Sequence, residues 1–149
     1  MGKITGICIS EKRGVQKHLI TEANIVCDWG IEGDAHGGKW HRQISLLSYD
    51  KIEAFRARGA EVEDGAFGEN VIVQGIDFRN LPVGTRLKCN DVLLEMTQIG
   101  KECHHGCQIF QKMGECIMPR EGVFAKVLHG GKIKAGDEMI CLLYTSPSP

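Results

Sequence analysis

Thr85-Arg86-Leu87-Lys88-Cys89-Asn90-Asp91-Val92-Leu93-Leu94-Glu95-Met96-Thr97-Gln98 is the stretch on which the fold turns. Two β-favouring runs, 85–89 and 92–98, flank an Asn-Asp pair, and that combination reads as a β-hairpin. The same grammar extends in both directions. Short apolar runs at 3–9, 23–29, 43–47, 70–73, 123–128 and 138–142 are separated by Gly-containing turns. Nineteen glycines, four prolines and 6% aromatic residues suit tight turns and short strands better than long helices. One helix is clear at 49–58, with Ser48 as its cap, Ile52 and Phe55 on one face and Gly59 as its stop. A second is expected at 107–113 from the spacing of Ile109, Phe110 and Met113, ended by Gly114. The expectation is a mainly β (α+β) domain, a barrel of short strands with two or three short helices.

At 149 residues the chain has the length of one domain and can bury roughly two-thirds of its unfolded surface. A net charge of −1 leaves no electrostatic footprint for nucleic acid or an acidic membrane. No run approaches the ~18 apolar residues of a membrane span. Seven cysteines with no secretory pattern ahead of them point to the cytosol. There thiols stay reduced, so these read as reactive, ligating or core residues and not as a disulfide frame. Cys8, Cys27 and Cys89 fall in strand candidates among apolar neighbours and read as core. The last nine residues, Cys141 to Pro149, match a translated transposon-end adapter used in sequencing libraries. Residues 1–140 are therefore expected to be the domain and 141–149 a non-native tail, which amplification of the gene from source DNA checks.

Chemistry concentrates in Cys103-His104-His105-Gly106-Cys107, beside Lys101 and followed by Cys116. Neighbouring imidazoles and an ammonium favour thiolate over thiol, and a helix starting at Cys107 would lower its pKa further. Thiolates attack sulfur electrophiles and bind soft metals. Cys107 is the candidate nucleophile, with Cys103 able to resolve an oxidised or persulfidated Cys107. Cys116 either shares that work or fills space. A second constellation runs from Glu32 to Arg42 and carries His36, Lys39, His41 and Arg42 among glycines. Those donors suit a phosphate, with Asp34 placed to orient His36 or His41. Arg120 is a further anion clamp, or a surface partner of Glu121 or Glu115.

The ordered combination of Gly33-Asp34-Ala35-His36-Gly37-Gly38, Gln43-Ile44-Ser45-Leu46-Leu47, Gly68-Glu69-Asn70, Leu81-Pro82-Val83-Gly84, the segment ending at Cys107, Gly130-Gly131 and Gly136-Asp137 resembles the MOSC domain. That module is named for the C-terminal part of molybdenum-cofactor sulfurases, and the resemblance covers residues 3–140. It implies a strand-rich MOSC-type β-barrel that binds molybdenum cofactor (molybdopterin) and carries or transfers sulfur on a cysteine. Cys107 is the matching position, and it is also the residue that would ligate molybdenum. The implied activity is that of a sulfur transferase or a component of a molybdenum-dependent reductase. Pyridoxal phosphate would belong only to a partner cysteine desulfurase, and a molybdenum-cofactor biosynthesis protein is the other implied partner. Two rivals stand beside this reading. One is a small zinc module using Cys103, His104, Cys107 and Cys116, whose spacing fits no standard finger; the other is a non-catalytic regulatory domain.

Overall fold

A computed structural model describes residues 2–12, 15–59, 62–100 and 121–142. The strands are β1 (Gly2–Ile9), β2 (His18–Ile20), β3 (Glu22–Val26), β4 (Gly30–Ile31), β5 (Ile44–Ser48), β6 (Val71–Gln74), β7 (Arg86–Cys89), β8 (Val92–Ile99), β9 (Val123–His129), β10 (Gly131–Lys134) and β11 (Glu138–Leu142). Helix α1 (Tyr49–Ala57) and a 3-10 turn (Phe78–Asn80) complete the described elements.

Seven strands close on themselves in the order β1, β6, β5, β9, β8, β7, β11 and back to β1, with β2 appended to β1. Closure leaves these seven without a free edge. Every pair in the ring is antiparallel except β5–β6, whose parallel register needs a crossover, and α1 lies in that crossover. A small sheet, β10–β3–β4, shares the barrel core through Ala23, Ile25, Ile31 and Ile133.

Alternation along the strands sets the two cores apart. Ile7, Leu46, Val71, Val73, Val123 and Ala125 point into the barrel. Their neighbours Cys8, Leu47, Ile72 and Phe124 point outward and pack with Ile52 and Phe55 of α1 and with Phe67. The helix forms where expected and ends at Arg58, with Gly59 following at φ 104°. Ser48 occupies the N-cap position, but its side chain makes no capping bond. Asp50 in the first turn instead accepts from the Gly75 N–H at 3.0 Å.

The Asn-Asp hairpin forms as read, with Asn90 at φ 55° joining β7 to β8. One expectation fails. The run 23–29 is strand only to Val26, because Asp28 takes φ 51° and turns the chain back into β4. Cys27 therefore sits in a turn and is exposed, not in the core. Cys8 and Cys89 are buried as expected. The expected helix at 107–113 lies outside the described residues. No helix among the described residues is long and apolar enough to cross a membrane.

Candidate functional site

The loop between β4 and β5 is built on a buried ion pair. Lys17 and Asp34 have side chains 1% and 0% exposed, with Nζ and Oδ1 2.7 Å apart. The Lys17 ammonium has three protons and no lone pair. One goes to Asp34 Oδ1, one to Ser10 Oγ at 3.2 Å and one to His36 Nδ1 at 2.9 Å. The Ser10 hydroxyl is free to accept because its own proton goes to the Lys12 carbonyl. Since Nδ1 of His36 accepts, the ring is neutral and its proton sits on Nε2. Asp34 also takes the backbone N–H groups of Ser10 and His36, at 3.1 and 3.2 Å. Asp34 thus orients His36, one of the two choices open from the sequence. The His36 side chain is one-third exposed.

The rest of the loop folds over this pair. Gly37 lies so close to the Trp29 ring that a Cβ there would sit 2.2 Å from it. Trp40 Nε1 donates to the His36 carbonyl at 2.9 Å, and the Trp40 and His41 rings meet edge-on at 5.9 Å. His41 Nε2 and Arg42 Nε both reach Gln98 Oε1, at 2.9 and 3.2 Å. The Arg42 guanidinium lies 5.0 Å over the Phe124 ring, and its terminal Nη groups hold no other partner among the described residues. Lys39 is exposed on the same loop.

Gln98 and Thr97 reach this loop because β8 is irregular. Met96 pairs with Ala125 and Gln98 with Phe124, leaving Thr97 as an extra residue in β8. A bulge re-aims side chains that would otherwise alternate across the sheet. Thr97 Oγ1 accordingly donates to the His41 carbonyl while Gln98 takes the two side chains. Beyond the bulge, Ile99 pairs with Val123 and the Gly100 N–H bonds the Gly122 carbonyl at 2.6 Å. Gly100 and Gly122, which flank residues 101–120, are thus clasped together, and Gln98 Nε2 donates to the Gly100 carbonyl at 2.8 Å. Cys103, Cys107, Cys116 and Arg120, with the zinc rival's His104, lie outside the described residues. Among the described residues, no cluster of three or more His, Cys, Asp or Glu is placed to hold a metal. Glu121 faces Arg79, with Oε2 3.9 Å from Nη1.

The described thiols with shifted acidity are poor nucleophiles. Burial, with Glu69 and Asp64 behind it, pushes Cys8 up to about 12. Burial and Asp137 push Cys89 up to about 11. Burial also raises Cys141, which sits half-buried in β11 opposite Leu87. Glu69 is the buried carboxyl behind the site. Its oxygens accept from the Gly65 and Phe67 N–H groups at 2.9 Å, and Gly65 in turn accepts from the Lys17 N–H at 3.2 Å. Burial raises Glu69 from 4.5 to about 7, against those two bonds and with help from Asp64. The folded chain thus binds this proton more tightly than the unfolded chain does. Its contribution to stability is complete below about pH 4.5 and lost as pH rises through about 7. Urea unfolding at pH 5 and pH 7.5 should show a decline of about 2 kcal/mol from this group. Glu69→Gln, which cannot titrate, should remove that decline; an identical pH profile in the variant would refute the assignment.

The MOSC domain model matches residues 32–140, and the chain belongs to the MOSC domain family. The YUAD protein of Bacillus subtilis superposes with a TM-score of 0.81 at 19% identity, over 97% of this chain and 98% of that one. YiiM of Geobacillus stearothermophilus gives 0.71 at 17% identity, over 95% and 75%. YiiM of Escherichia coli gives 0.65 at 18%, over 97% and 71%. At these identities the likeness is one of fold. No curated protein matches the chain.

Proposed function

We propose that this MOSC domain binds a molybdopterin-type cofactor at the Gly-rich loop and works through Cys107, as a sulfur carrier or as a ligand to molybdenum. The observation that supports the reading is the convergence of His41 and Arg42 on Gln98, two residues before Gly100, where the cysteine-bearing segment begins. The donor set suits an anionic group. Lys39, His41 and Arg42 supply charge or N–H donors, and of the loop's two carboxylates Asp34 is paired with Lys17 while Glu32 accepts from Asn24 Nδ2. Arg120 would add a fork at the far end of the segment. When bound, the cofactor supplies a metal centre and its redox chemistry.

The chain's own chemistry is nucleophilic. The Cys107 thiolate attacks the outer sulfur of a donor persulfide, forming Cys107–S–SH and releasing the donor thiolate. No net oxidation is needed. Cys103 would accept that sulfur onward, and Cys116 is the other thiol proposed to share the work. Pyridoxal phosphate enters only through a partner cysteine desulfurase, and a molybdenum-cofactor biosynthesis protein is the other proposed partner. A reducing compartment such as the cytosol suits a chain of seven cysteines, of which the four described are unpaired.

Persulfide formation and molybdenum retention test this in Cys107→Ala, with Cys89→Ala as control. At a pKa of about 11 the control thiol is about one part in ten thousand thiolate at pH 7. Both readouts should fall at least about tenfold in Cys107→Ala and stay level in Cys89→Ala. Equal behaviour of the two variants, or stoichiometric zinc without molybdenum, would reject the reading.

A further inference from the structure

We infer that Gln98 is a positioning residue that joins the anion-binding pair His41 and Arg42 to the start of the cysteine-bearing segment; this rests on the function proposed above. Its amide is used at both ends. Oε1 accepts from His41 Nε2 and Arg42 Nε, and Nε2 donates to the Gly100 carbonyl at 2.8 Å. An amide oxygen has two lone pairs, and both are taken. The bond to His41 puts a ring proton on Nε2. The bond to Arg42 uses Nε and leaves the terminal fork for a ligand while Phe124 holds the guanidinium plane.

The bulge at Thr97 is what makes this possible. A regular strand would send Thr97 and Gln98 to opposite faces, yet both bond the 41–42 stretch. The Gly100 carbonyl that Gln98 holds belongs to the residue whose N–H clasps Gly122. A ligand drawing Arg42 or His41 toward itself therefore pulls on Gln98, and through it on the backbone three residues before Cys103. Glutamine alone suits the position. A carboxylate accepts from His41 and Arg42 but cannot donate to Gly100, and an aliphatic side chain does neither.

The full chain carrying Q98L or Q98E tests this by three measurements: ring 15N NMR of His41, titration with inorganic pyrophosphate, and the rate of Cys107 alkylation by iodoacetamide. Q98L should lose the Nε2-protonated signature of His41 and bind pyrophosphate about tenfold more weakly. It should also change the Cys107 rate by at least about threefold without added ligand. Q98E should keep the His41 signature yet match Q98L in alkylation, because only the bond to Gly100 is lost. A Q98L chain with unaltered melting, His41 signature and pyrophosphate affinity would overturn the assignment, as would wild-type alkylation in Q98E. A wild-type chain that ignores pyrophosphate, beside a Q98L chain altered at His41 and Cys107, would sink the cofactor reading and leave the Gln98 link standing.

Discussion

Asp34→Ala should lower the unfolding free energy by about 3–5 kcal/mol, because it strands the Lys17 ammonium in a buried site with no counter-charge. Lys17 is 1% exposed, so water cannot replace the lost carboxylate without opening the loop. The same substitution orphans the N–H groups of Ser10 and His36, which Asp34 accepts. For a chain of this length the loss corresponds to a fall in melting temperature of roughly 10–15 °C. A double variant, Lys17→Met with Asp34→Leu, separates the two causes. Removing both charges should recover a large part of the loss, since a buried pair is often no better than apolar groups of similar volume. The remainder reports the two stranded amides. Thermal and urea unfolding of the three chains measure this, and a single variant no less stable than the double one would show that the charge is not the cause.

Gly65→Ala is the second large effect. A Cβ at Gly65 would stand 2.2 Å from the Lys17 carbonyl oxygen and 2.7 Å from its carbon, with φ at +93°. The obstacle is backbone, so no rotamer change relieves it. Left-handed backbone costs about 1–2 kcal/mol for alanine, and the forced separation about 1–3 kcal/mol more. Gly59→Ala is the matched control: φ is +104° there, but nothing lies within 4 Å of the added carbon. It should cost only the backbone share. Comparable melting temperatures for the two variants would contradict the packing argument. Gly65→Ala should also weaken the Lys17–His36 contact, because Lys17 is held through its own N–H to the Gly65 carbonyl.

The barrel was legible in the sequence wherever a strand had two faces to satisfy. Runs such as 44–48 and 71–74 are apolar at successive positions, Leu46-Leu47 and Val71-Ile72-Val73, because one face lines the barrel and the other lies under α1. β2 and β4 escaped notice because strands of three and two residues are too short to show a period. Of the donors that the Gly-rich loop announced, His41 and Arg42 meet at Gln98 near the end of β8. What stayed hidden was every partner supplied from far along the chain. Lys17 lies between Gln16 and His18 in a polar stretch, and nothing local says that it is buried. The available hint was Asp34, an acidic residue in a turn of small residues that would need a cation if enclosed. Thr97 and Gln98 read as ordinary strand residues, since a bulge depends on the pairing of two strands and not on either one alone. Cys27 was misplaced for a related reason: the apolar run continued past the point where Asp28 reverses the chain.

The Gly100–Gly122 clasp has a consequence for how this protein can change over time. With Ile99 matched to Val123 and the Gly100 N–H on the Gly122 carbonyl, the β8–β9 ladder is complete up to the residues that flank 101–120. The described strands pair into a closed ring by themselves, so respacing the reactive side chains of that interval should leave the frame folded as before, and new chemistry could be tried there without risking the scaffold.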